Sequence, residues 1–199
     1  DNDGRVDLFL TGYGRCGLYR NLGGGKFRDV TRAPGIRMTP WSAAATFADF
    51  DRDGQLDLYV GAYVDFGPHT KQYCDLYGTG IETSCRPFDY DAILGQGYRN
   101  RGNGTFEDVT KRWGFDQAHG RNLGAVVADF NQDGWPDLYL ANDEIDADLF
   151  ENRGGKGFEN VAAALGTAFG PDGARIGGMG ADWGDFDNDG WQDLVVGTF

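Results

Sequence analysis

The feature that most constrains this chain is an acidic loop written four times without gaps: DNDGRVDLFL from Asp1, DFDRDGQLDLYV from Asp49, DFNQDGWPDLYL from Asp129 and DFDNDGWQDLVV from Asp185. Each copy crowds Asp residues together and then runs straight into an apolar stretch. Like charges this close repel, and Asp is a poor strand former, so the crowding requires a compensating partner. Between the loops a second signature recurs: YRNLGGGKFRDVT from Tyr19, YRNRGNGTFEDVT from Tyr98 and FENRGGKGFENVA from Phe150. Gly35, Gly114 and Gly166 follow it in register. Two independent signatures alternating in a set order define a repeat protein.

Each unit reads as four antiparallel strands. A small-residue segment precedes every complete loop (SAAATFADF, GAVVADF, GGMGADWGDF), and a β-rich run follows it. The aromatic-charged-Asn signature supplies a third strand. A Gly-rich turn of hairpin chemistry leads to a fourth, centred on Phe27, Phe106 and Phe158. Four strands in about 50 residues is the size of a β-propeller blade. Ala43, Ala44, Ala45, Ala125 and Gly178 suit a crowded innermost strand. A β-solenoid is the competing architecture, although its repeats are usually shorter. The expectation is thus an all-β propeller, as a fragment or partial ring, with the acidic loops between first and second strands. It comprises a partial blade at 1–35, a blade at 36–114 with an insertion at 63–93, a blade at 115–166 and a partial blade at 167–199.

Counted from its first Asp, a complete loop places side-chain oxygens at positions 1, 3, 5 and 9 and Gly at position 6. Ca²⁺ takes six to eight hard oxygens at about 2.3–2.6 Å, carboxylates and backbone carbonyls among them. The position-7 carbonyl would complete each set. The candidate ligands are Asp49, Asp51, Asp53, Gln55 and Asp57 in the second loop, Asp129, Asn131, Asp133, Trp135 and Asp137 in the third, and Asp185, Asp187, Asp189, Trp191 and Asp193 in the fourth. The first loop offers Asp1, Asp3, Arg5 and Asp7 and lacks a position-1 residue, so three sites are complete and a fourth is truncated. Asn131 replaces a carboxylate and should weaken its site. An EF-hand is excluded, because that motif needs Glu at position 12 and flanking helices, whereas Val60, Leu140 and Val196 stand there. Mg²⁺ suits the loops less well, since it prefers few protein ligands.

The charge distribution supports this reading. The net charge is −13, and the four loops hold 14 of the 31 acidic residues; the other 17 are balanced by 18 Lys and Arg. The acidity therefore resides in the loops rather than in a generally solvated surface. It also argues against nucleic acid, which requires a basic footprint.

The combination DxDxDGxxDL with a Gly-rich turn, Phe and Asp-Val-Thr resembles the FG-GAP/VCBS repeat, the blade of the integrin α-chain propeller. RNRGNGTFEDVT, DFDRDGQLDLYV and GADWGDFDNDG are most similar in wording to the cartilage acidic protein and ASPIC/UnbV-type secreted proteins. The resemblance implies a secreted, periplasmic or cell-surface calcium-binding propeller used in adhesion or ligand binding, and it implies no enzymatic activity. Propellers of this family have about seven blades, so the chain reads as a portion that further blades or chains would complete.

The insertion from Tyr63 to Ile93 is the main departure from the repeat. It holds Cys74 and Cys85, which either bridge or stand as separate thiols, while Cys16 reads as a small buried residue. The segment is either a recognition loop for a protein or glycan ligand or a tied cap burying its own aromatics. His69 and His119 lie far apart with no nucleophile pattern nearby. The alternative function class is the propeller portion of a secreted hydrolase or lyase acting on polysaccharide. The run DEIDAD, Asp143 to Asp148, reads as a solvated loop or as extra oxygen ligands. No apolar run is long enough to span a membrane as a helix.

Overall fold

Strand by strand, the computed structural model follows the repeat. It describes residues 1–32, 35–37, 39–70 and 72–199. The first sheet contains β1 (Leu8–Leu10), β2 (Gly17–Gly23) and β3 (Lys26–Asp29) in that order. β4 (Ser42–Ala48) and β5 (Asp57–Ala62) begin the second sheet; a small hairpin of β6 (Cys74–Asp75) and β7 (Glu82–Thr83) intervenes before β8 (Gln96–Asn100) and β9 (Phe106–Asp108) complete it. The third sheet is β10 (Asn122–Ala128), β11 (Asp137–Asn142), β12 (Asp148–Asn152) and β13 (Phe158–Asn160), and the fourth pairs β14 (Gly178–Gly184) with β15 (Asp193–Thr198). All pairings are antiparallel, and the four sheets fall within the spans 1–35, 36–114, 115–166 and 167–199.

Successive sheets pack through their first strands, β4 against β10 and β10 against β14. The packing is close: a Cβ added to Gly124 would lie 3.0 Å from the Gly180 Cα. That approach is why the first strands are built of Ala and Gly. Each of the three complete first strands also carries a register shift near its start, between Ser42 and Ala44, Asn122 and Gly124, and Gly178 and Gly180. Bulges of this kind increase local twist. β5 and β11 are buried throughout, because other elements cover both of their faces, which explains their unbroken apolar runs.

The main core lies between the second and third sheets. Phe50, at loop position 2, inserts against Phe158, Trp113 and Phe115, and Phe115 stacks on Phe158 at 4.6 Å. Phe130 is the corresponding residue one repeat later and stacks on Trp183. The in-register glycines explain themselves here. Gly35 (φ +111°) and Gly114 (φ +84°) abut the backbone carbonyls of Phe106 and Phe158, and a Cβ would lie 1.8 and 2.7 Å away. The connectors after the first two repeats thus run directly along the last strand of the next sheet, whereas Gly166 meets no neighbour and caps a short helix in the left-handed conformation.

The insertion leaves the end of β5 opposite the acidic loop. Cys74 and Cys85 are bridged (S–S 2.11 Å), and Cys16 is a half-buried free thiol. The insertion buries some of its own aromatics and exposes others. Tyr63, Val64 and Tyr90 form a buried cluster against Trp41, whereas Tyr73 and Tyr77 stand in solvent. DEIDAD is solvated only in part: Glu144 is exposed and Ile145 and Asp146 are half-buried, but both end carboxylates are covered. Asp148 is fully buried, accepting from Asn142, Asn160 and His119, and the buried Asp143 accepts from the Tyr63 hydroxyl. The run follows β11 at its far end from the acidic loop, so it serves as a polar clamp for the strand ends.

Candidate metal centre

Local hydrogen bonding folds the acidic loops before any ion is considered. At position 1, Asp49 accepts from the Asp53 and Gly54 amides at 3.0 and 2.8 Å. Asp129 and Asp185 repeat the pair with Asp133 and Gly134, and with Asp189 and Gly190. At position 5, Asp3, Asp53, Asp133 and Asp189 each accept from the position-7 amide, that of Arg5, Gln55, Trp135 and Trp191. The turn requires positive φ at positions 4 and 6. Gly4, Gly54, Gly134 and Gly190 meet this at position 6, while Asn2, Arg52, Gln132 and Asn188 adopt φ of 57–61° at position 4.

Position 9 ties the loop to the sheet. Asp57 accepts from the Phe50 and Asn100 amides at 3.0 and 2.9 Å, and Asp137 accepts from Phe130 and Asn152 at 3.2 and 2.8 Å. Asp7 accepts from Asn21 and Asp193 from Phe186. The Asn of the strand signature returns the contact: Asn21, Asn100 and Asn152 donate to the carbonyls of Val6, Leu56 and Pro136. The two sequence signatures are therefore two halves of one structure. The recurrence of that Asn was visible in the sequence, but its role was not.

Oxygens of Asp49, Asp51 and Asp53 converge to within 4.8 Å of one another, as do those of Asp185, Asp187 and Asp193. Asp57 and Asp137 are buried, and burial, with neighbouring loop carboxylates adding to it, pushes each up to about 7 against the opposition of their backbone donors. One further observation tests whether a cation fits. The Asp51 Oδ1 atom is buried without a hydrogen-bond partner, although its other oxygen is paired with Arg99, which also reaches Asp53 at 2.8 Å. An orphaned carboxylate oxygen among hard oxygen donors fits Ca²⁺.

Adjacent loops touch. Asn2 donates to the Gly54 carbonyl (2.8 Å), Gln132 to the Gly190 carbonyl (2.6 Å), and the Arg52 guanidinium lies 5.2 Å from the centre of the Trp135 ring. The position-4 residue of each of the first three loops thereby reaches the next loop. The histidines lie outside this region. His69 pairs with Asp65 at 2.8 Å, and His119 is raised by its hydrogen bond to Asp148.

Comparison with known proteins agrees with the repeat structure. Residues 1–60, 91–140 and 129–196 match the FG-GAP-like repeat family, and the unmatched stretch between the first two falls on the insertion. Cartilage acidic protein 1 of Mus musculus is 27% identical over 177 residues, covering 72% of this chain and 27% of that protein, so the chain spans about a quarter of that relative. A solved structure concerned with recognition of non-reducing terminal N-acetylglucosamine by an Agrocybe aegerita lectin aligns at 17% identity and a TM-score of 0.30. That alignment covers 98% of this chain and 58% of the lectin, and at that level it carries no argument. Among the described residues no helix is long and apolar enough to cross a membrane. With family matches spread over all four repeat sheets, the chain belongs to the FG-GAP-like repeat family.

Proposed function

We propose that the chain is a calcium-stabilised β-propeller segment of a secreted, periplasmic or cell-surface protein, non-enzymatic, that presents the 63–93 insertion to a protein or glycan ligand. Further blades or chains would complete the ring. The observation that carries the reading is the convergence of loop carboxylates around the orphaned Asp51 oxygen. The bridged Cys74 and Cys85 fit an oxidising compartment, where calcium is abundant.

Ca²⁺ would be held by the position-1, -3, -5 and -9 side chains and the position-7 carbonyl. It would supply positive charge that lets the crowded carboxylates ionise at neutral pH. The chain's own residues do the remaining work. Position-9 Asp residues join the first, second and third strands, position-4 residues join neighbouring loops, and the insertion projects from the opposite end of β5.

The test is a thermal melt with and without EDTA, followed by calcium and magnesium titrations at equal concentration. With calcium at about 1 mM and a Kd of about 0.1 mM, linkage gives about 1.4 kcal/mol per site. Three sites would then raise Tm by about 10 °C in a domain of this size. A Tm indifferent to EDTA, or restored equally by magnesium, overturns the calcium reading.

A further inference from the structure

Building on the calcium reading, we propose that Arg99 is a tethered counter-cation of the second loop: its guanidinium takes the cation's place, and calcium enters only by displacing it. The third loop lacks such a group and depends on an external ion.

The argument starts from register. Arg20, Arg99 and Glu151 occupy one position, immediately before the Asn that each strand signature uses to hold its loop. Whatever stands there is delivered to the same place. In the second loop Arg99 pairs with Asp51 at position 3 and Asp53 at position 5. In the first loop Arg20 pairs with the corresponding Asp1 and Asp3. A guanidinium bridging two carboxylates is a strong and specific pairing, and here it engages two of the groups a divalent ion would need.

The third loop inverts the arrangement. Position 3 is Asn131, and Glu151 replaces the arginine. The Asn131 amide nitrogen lies 3.2 Å from Asp133 and 3.4 Å from Glu151. Arg153 does approach, and Asp133 at position 5 feels its charge, but its ion pairs are with Glu151 and Glu159 rather than with position 3 or 5. Glu151 thus restores beside this loop the carboxylate that Asn131 removes. On this proposal the weak complete site is the second, where the internal cation competes, rather than the third, which the Asn131 substitution taken alone would make the weak one.

Two variants in the whole chain test this, Arg99→Met, which keeps the apolar stem, and Glu151→Arg, which installs the arginine in the third loop. Calcium binding is followed by isothermal titration and stability by melts in EDTA. Arg99→Met should tighten the weakest complete site by about tenfold, the size of one charge-assisted hydrogen bond no longer lost on displacement, and should lower Tm in EDTA. Glu151→Arg should raise Tm in EDTA and weaken or remove one tight site. If wild type binds calcium but Arg99→Met leaves its affinities unchanged or weakens them, the inference falls and the calcium reading survives. If wild type binds no calcium at all, both fall.

Discussion

Phe50 and Phe186 occupy the same loop position in the same tripeptide, DFD, yet in this chain their truncations should differ by about 3.5 kcal/mol. Phe50 is 1% exposed, with ring centroids of Phe158, Trp113 and Phe115 at 5.3, 6.2 and 6.3 Å. Burying a Phe side chain contributes about 1.5–3 kcal/mol, and each oriented aromatic contact adds about 0.5–1.5 kcal/mol. The surrounding rings are held by β13 (Phe158) and by the connector between the second and third sheets (Trp113 and Phe115) and cannot close over the gap. Phe50→Ala should therefore cost about 4 kcal/mol. Phe186 is 78% exposed in this chain, where no following sheet covers it as the third sheet covers Phe50, so in this chain Phe186→Ala should cost under about 0.5 kcal/mol. The assay is urea unfolding in calcium-containing buffer, followed by circular dichroism and tryptophan fluorescence. If the two variants lose equal stability, the energy does not come from wedging one sheet against the next, and the account of the core is wrong.

The disulfide and the buried carboxylates give two further tests. The Cys74–Cys85 bridge closes a short loop, with a sequence separation of 11, worth about 3 kcal/mol of chain entropy. It sits in the insertion, so replacing both by Ser should expose that segment to limited proteolysis while leaving the main thermal transition in place; a collapse of that transition would show the insertion to be part of the core. Asp57 and Asp137 have folded values near 7 against an ordinary 3.8. The folded chain therefore binds more protons than the unfolded chain between those limits, and in EDTA stability should fall as pH rises from about 4 to 7, by at most about 4 kcal/mol per carboxyl. Saturating calcium should flatten this slope, and a stability that instead rises with pH in EDTA refutes the assignment.

The four-stranded repeat, its loop turns and the small first strands were legible in the sequence, because each depends on local chemistry. Asp and Gly at set spacing close a turn through their own backbone, and apolar runs bounded by Gly-rich turns form hairpins wherever they lie. The acidic loops were legible for the same reason, since their carboxylates are neighbours in the chain before they are neighbours in space. DEIDAD misled because burial is not a local property: Asp143 and Asp148 are clamped by Tyr63, His119 and Asn160, which approach from other parts of the chain. Arg20, Arg99 and Glu151 read only as the variable residue of a signature until strand pairing carried them onto loops up to 48 residues away. The same is true of Phe50 and Phe186, which share the DFD tripeptide: the third sheet covers the first, and no following sheet covers the second in this chain. Spacing along the chain determines what a segment can become, but whether a side chain is covered or meets an opposite charge depends on the element packed against it, and only the tertiary structure decides that.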